Sequence, residues 1–214
     1  MQSDGMDTQW AEENLHVIRT LMERSALYRR RLAPLMTLAS VGALAGGMAG
    51  AALGIQTARD FVFLWGTVAV TVLLGAAWIV RGQAIRAGES FWTPPAKRVL
   101  SALTPAMLVG GALGAAYIVG PESRSAASRW FLVITWSVLF GMGLHSAGFY
   151  VSQGIRRLGW AFVVAGLGLG WVVLNGGIDV ERIKPSFGMM LVFGGLPLLS
   201  AVYLFFTESG EGAG

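Results

Sequence analysis

The chain has no cysteine, which excludes disulfides, thiolate metal sites and cysteine nucleophiles. Its two histidines, His16 and His145, are too few for a histidine-ligated metal centre. Charge is scarce as well: Asp, Glu, Lys and Arg make up 13 % of the 214 residues, against about 25 % in an ordinary soluble domain. Lysine is nearly missing, with Lys97 and Lys184 the only two. No Asp or Glu falls inside the long apolar runs, so they hold neither a carboxylate pair for acid–base chemistry nor a buried acidic proton carrier. The expectation is a protein with no catalytic residues, no cofactor and no metal.

What the chain does have is apolar length. Hydrophobic residues make up 54 % of it, the mean hydropathy is +0.60, and the apolar residues come in runs rather than in short alternating pieces. Six spans can be read: Leu32–Ile55, Phe61–Val80, Val99–Val119, Trp130–Phe149, Gly159–Ile178 and Phe187–Phe206. At about 1.5 Å per residue, about twenty helical residues cross a hydrocarbon core of about 30 Å. The fold class is therefore all-α, a polytopic integral membrane protein of six transmembrane helices. No length is left for a soluble domain.

Basic residues set the expected orientation. The N-terminal segment (Arg19, Arg24, Arg29, Arg30, Arg31), the second loop (Arg81, Arg86, Lys97, Arg98) and the fourth loop (Arg156, Arg157) carry most of them. Arg59, Arg124, Arg129, Arg182 and Lys184 fall on the other side. The positive-inside rule then puts both termini in the cytoplasm, and with no basic nucleic-acid surface, no nucleic-acid partner is expected. Trp78, Trp130, Trp160, Phe205 and Phe206 stand at span ends, where aromatic interface anchors are expected.

Residues 1–31 are too long, polar and mixed in charge for a secretory signal. Ala11, Leu15, Ile18 and Met22 recur at helical spacing, and Arg19 and Glu23 form an i,i+4 pair. This predicts an amphipathic cytoplasmic helix lying on the membrane or against the bundle. A six-helix bundle over 32–206 and a short cytoplasmic tail over 207–214 complete the domain organisation.

Val41–Gly54 reads VGALAGGMAGAALG, with Gly42, Gly46, Gly50 and Gly54 four residues apart and Ala43, Gly47 and Ala51 in a second small row. A phosphate-binding loop would need a preceding strand and a Lys-Ser or Lys-Thr end; neither is present. Small residues at every fourth position instead make a helix face on which another backbone approaches closely. Gly110 and Gly114 repeat the device in the third span, and Gly166 and Gly170 in the fifth. The partner of the first face is either another helix of the same chain, which is preferred, or a second copy.

Two short matches recur at almost one offset. LAPLM (Leu32–Met36) is similar to LTPAM (Leu103–Met107), and QAIR (Gln83–Arg86) to QGIR (Gln153–Arg156). A parallel repeat of two hairpins, as in some transporters, and coincidence in a low-diversity sequence both account for them. His145 lies about 22 Å inward from Trp130 by helical rise. It is either a proton-sensitive or ligand-binding group or, with no charged partner evident, a neutral ring bonded to a neighbouring carbonyl or hydroxyl. In GGLPLLS (Gly194–Ser200), Pro197 removes one backbone bond and displaces the carbonyl of Phe193, while Gly194 and Gly195 ease a bend. Such a break serves as a static kink or as a working hinge.

The segment VIRTLMERSALYRR (Val17–Arg30), running into a proline and a glycine-rich span, resembles the start of a group of uncharacterised bacterial multi-pass membrane proteins. The resemblance implies a bacterial cytoplasmic (inner) membrane and brings no activity or site residue with it. Two functional classes follow. The preferred one is a non-enzymatic bundle that binds, senses or scaffolds; the other is a small-solute transporter or channel subunit. The expected partners are the bilayer, a second copy through the glycine faces and a cytoplasmic protein at the N-terminal helix.

Overall fold

The computed structural model describes residues 32–88, 94–121, 125–177, 179 and 182–211. The expected amphipathic helix over residues 1–31 lies outside them. Among the described residues there is no strand. The helices are α1 (Leu32–Ala52), α2 (Ala58–Ala87), α3 (Pro94–Val119), α4 (Ala126–Gly148) and α5 (Gln153–Leu174). The sixth span begins as α6 (Pro185–Met189), passes through a π-helical stretch (Met190–Gly195) and continues as α7 (Leu196–Glu211).

Local chemistry explains the boundaries. Thr57 caps α2: its Oγ1 accepts the Asp60 N–H at 3.0 Å and donates to Asp60 Oδ2 at 2.8 Å. Ser125 and Ser152 cap α4 and α5 by accepting the N–H groups of Ala127 and Ile155, each satisfying an orphan donor of a first turn. Pro94 and Pro185 open α3 and α6, where a missing N–H is harmless.

At the other ends the chain needs a left-handed residue. Gly54 has φ 62°, and the Ile55 N–H closes back on the Gly50 carbonyl, the wrap that ends a helix. Gly54 therefore departs from the expected packing row. It lies past the end of α1, nothing stands within 4 Å of where its Cβ would be, and its task is to stop the helix. Gly176 (φ 70°) does the same for α5.

Six of these helical runs are long and apolar enough to cross a membrane, and the fold is that of a multi-pass membrane bundle. Helix ends and span ends differ. The spacing predicts a second span over Phe61–Val80, but α2 runs 30 residues, from Ala58 to Ala87. Likewise α7 continues to Glu211 beyond the expected span end at Phe206. Hydropathy marks where the apolar run stops, whereas backbone hydrogen bonds continue into polar sequence until a capping residue breaks them.

Burial is uneven. In the most apolar window of α4, and of the sixth span, 39 % of residues are buried, against 11 % in those of α2 and α3. Trp160, Val164, Leu167 and Trp171 form one exposed apolar stripe along α5, at the i, i+4, i+7, i+11 spacing of a single helix face. Such a stripe suits hydrocarbon rather than water. Trp78 (80 % exposed) and Trp160 (56 %) point outward as interface anchors should. Trp130 does not: it is 1 % exposed, because Gly188 of α6 lacks a side chain and its indole fills the slot.

Two apolar clusters fill the interior. Ala43, Phe61, Val62, Trp65, Trp130, Leu132, Val133 and Met189 pack in the half nearer the α1–α2 turn. Leu158, Phe162 and Val192, with Met36, Phe140, Leu144 and Phe193 around them, fill the half nearer the α4–α5 turn.

Candidate functional site

The glycine row on α1 meets α2 of the same chain. A Cβ on Gly42 would lie 2.5 Å from Val72 Cγ2, one on Gly46 2.7 Å from Val68 Cγ2, and one on Gly50 2.9 Å from Leu64 Cδ2. The partners step back four residues as the glycines step forward four, the register of an antiparallel pair. On its other side α1 faces the sixth span: a Cβ on Gly47 would lie 2.8 Å from Met190 Cβ, and one on Gly50 2.6 Å from Ser186 Oγ. The two small rows thus let α1 wedge between two neighbours.

The closest approach of all lies between α4 and α5, on Gly141, Gly148 and Gly159, which the GxxxG pattern passes over, and on Gly166, which it includes. A Cβ on Gly141 would lie 2.7 Å from the Gly159 carbonyl oxygen, and one on Gly148 2.6 Å from the Arg156 nitrogen. A Cβ on Gly159 would run into the His145 backbone nitrogen. Gly166 sits over Ser137 and the Ile134 carbonyl. The readable signal is a spacing of seven, Gly141 to Gly148 and Gly159 to Gly166, two helical turns on one face.

His145 owes its position to this contact. Gly148 and Gly159 let the start of α5 close on the last turn of α4, which brings the Arg156 carbonyl 3.4 Å from His145 Nδ1. A carbonyl only accepts, so the contact is a hydrogen bond in the tautomer that carries its proton on Nδ1. The half-buried ring is edge-on to Phe149 and Trp160, each 5.3 Å away between centroids. The Arg156 guanidinium lies 5.1 Å from the centre of the Phe149 ring. The arrangement is a donor held among aromatics, and no group of three or more His, Asp or Glu that could hold a metal is found among the described residues.

The Pro197 region is irregular ahead of the proline rather than at it. Met190–Gly195 is π-helical, which widens the turn and resets the helical phase. Phe193 within it enters the core between Phe140 of α4 and Phe162 of α5, with ring centroids 5.5 and 5.3 Å away. Ser40 of α1, 0 % exposed, donates its hydroxyl to the Gly194 carbonyl at 2.9 Å. The sequence points to a displaced Phe193 carbonyl; the side-chain donor reaches the next one. Gly194 packs against Leu44 of α1, while nothing stands within 4 Å of a Cβ on Gly195. Sequence reasoning missed Ser40, although a hydroxyl in mid-span is a readable sign of an interhelical bond. It also missed the role of Trp136, whose indole N–H donates to the Gly110 carbonyl at 3.0 Å and ties α3 to α4.

At the end of the bundle near the α1–α2 turn, the surface along the contact of α1 with the start of the sixth span holds a cleft of about 380 Å³. Arg182, Ile183 and Lys184 form its rim and Met48, Phe187 and Met190 its walls. Lys184 Nζ donates to the Ala51 carbonyl at 3.3 Å. In the core beneath this end, the buried indole N–H groups of Trp65 and Trp130 meet no hydrogen-bond acceptor among the described residues.

The geometry defines a six-helix membrane bundle held together by glycine contacts, with a polar aromatic cluster at one end and a basic-rimmed cleft at the other. Comparison of the chain with family models, with curated proteins and with solved structures finds no match.

Proposed function

We propose that this chain is a non-enzymatic bundle of the bacterial cytoplasmic membrane that binds, senses or scaffolds. Both termini then face the cytoplasm, a reading supported by the excess of arginine in the N-terminal segment and in the second and fourth loops. The segment preceding α1 is then the contact for a cytoplasmic protein, and a second copy is a further partner. One observation carries the reading: apolar side chains fill the space between the helices in both halves of the bundle. A solute path needs a polar or water-filled lining, whereas a tightly filled interior suits a protein that presents surfaces. The test is flux in sealed vesicles containing the purified chain, with a broad panel of small ions and solutes. The expected result is leakage equal to that of empty vesicles.

The second reading, a small-solute transporter or channel subunit, draws on the π-helical stretch before Pro197. Such distortions are frequent at functional sites, and discontinuous helices serve transporters as hinges. Pro197→Ala restores a backbone donor, so on this reading it changes flux more than stability. Solute flux above background that changes in Pro197→Ala would put the transporter reading first.

A further inference from the structure

We propose that the cleft between the end of α1 and the start of the sixth span binds an anionic phospholipid, with its phosphate at Arg182 and Lys184 and an acyl chain between Met48 and Phe187. Depth in the membrane is what points to a lipid. Lys184 immediately precedes the span Pro185–Tyr203, and Ala51 is the last residue but one of the span Leu32–Ala52, so the rim stands at headgroup level. One turn further in, the walls are Met48, Phe187 and Met190 with the bare backbone of Gly47 between them, at the level of the acyl chains. Met48 (64 % exposed) and Phe187 (53 %) open the cleft sideways to the hydrocarbon. A water-soluble anion would have no use for such walls.

Charge complements this depth. Arg182 and Lys184 are both exposed at the rim, and no carboxylate lines the cleft among the described residues. The nearby Asp179 turns its Oδ1 to the backbone N–H of Arg182, at 3.2 Å. Lys184 uses one donor on the Ala51 carbonyl, which holds the ammonium over the cleft, and its remaining donors suit phosphate oxygens. The volume of about 380 Å³ lies within the range of small-molecule sites, about 300–1,000 Å³. It holds part of one chain and a phosphate. Basic pockets between membrane helices on the cytoplasmic side recognise anionic headgroups by this charge pairing, and the same pairing serves in the outer leaflet, where the proposed orientation puts this cleft. Such a lipid site stands whether or not the bundle also moves a solute.

The experiment is native mass spectrometry of the purified full chain with added phosphatidylglycerol or phosphatidylcholine. Phosphatidylglycerol should be retained preferentially. Arg182→Gln with Lys184→Gln should weaken its retention by roughly 30-fold, about 1 kcal/mol per cation removed. Met48→Trp, which fills the cleft from its exposed side, should weaken it too, while Lys97→Gln with Arg98→Gln at the other end should not. Should the double variant fail to fold, Arg182→Gln alone, in an exposed loop, carries the test with a smaller loss. Equal retention of the two lipids, or phosphatidylglycerol binding unchanged by the rim variants, would overturn the proposal. Displacement of the lipid by inorganic phosphate would overturn it as well, since the site would then read a free anion.

Discussion

The two glycine interfaces of this bundle differ in what the glycines touch. On α1, Gly42 and Gly46 look at the side chains of Val72, Val68 and Trp65 on α2. Between α4 and α5, Gly141, Gly148 and Gly159 look at backbone atoms of the facing helix. A side-chain methyl can yield by a small local adjustment, even where β-branching holds valine to one rotamer, but a backbone atom moves only if its helix moves. The α1 face is therefore a place where two helices are close, and the α4–α5 face a place where they can come no closer. The more conspicuous sequence pattern marks the more forgiving interface.

The largest effect should come from the less conspicuous one. In Gly159→Ala the new methyl meets the His145 backbone and the Gly141 carbonyl oxygen, so α5 must shift along its length. Overpacking ordinarily costs about 1–3 kcal/mol, and with backbone on both sides the loss here should be about 3 kcal/mol or more. Thermal unfolding of the purified protein in detergent measures it. A midpoint equal to that of the wild type would remove the distinction between the two interfaces.

The α1 face should respond in proportion to size. Gly46→Leu should cost about 2 kcal/mol, because the side chain cannot fit beside Val68 and Trp65. Gly46→Ala should cost about 1 kcal/mol, since the new Cβ meets a single methyl, Val68 Cγ2 at 2.7 Å, which β-branching fixes at χ1 and which gives way only by a small shift between α1 and α2. The same unfolding assay, run beside size-exclusion chromatography, separates packing within the chain from packing between chains. If Gly46→Leu leaves stability unchanged but changes the oligomeric state, the face works between copies rather than against α2.

Legibility in the sequence follows the same division. The six spans are readable because hydrocarbon thickness fixes a minimum apolar length, and all six appear as helices. The α1 row is readable because glycine at every fourth position strips one helix face of side chains, which suits close packing and little else. Gly54 does not belong to that row: a pattern of intervals does not record where the helix stops, and that depends on a left-handed φ of 62°. Trp130 reads as an interface anchor from its position at a span end, but its burial depends on Gly188, 58 residues away in the chain. Of the candidate residues, Pro197 lies beside a real irregularity, yet the donor that reaches it, Ser40 on α1, belongs to tertiary contact. The basic-rimmed cleft is invisible for the same reason, because Arg182 and Lys184 read as loop charge until α1 is seen beside them.

The smallest effect should come from His145, although it sits on the tightest interface. Its ring is held by two edge-on aromatic contacts and one contact to a carbonyl 3.4 Å away, long for a hydrogen bond. Hydrogen bonds between membrane helices average about 0.6 kcal/mol, so the loss of this one is small. Glutamine supplies an amide donor for the Arg156 carbonyl but cannot take up a proton, which separates packing from titration. His145→Gln should therefore change stability by less than about 0.5 kcal/mol in the same unfolding assay. Histidine is the side chain that ordinarily changes charge between about pH 5 and 8. A flux or binding signal that changes across that range in the wild type and is flat in His145→Gln would make the ring a proton sensor and favour transport. With Gly159→Ala severe and His145→Gln silent, the tightness of the α4–α5 contact would serve the backbone, with the histidine only resting on it.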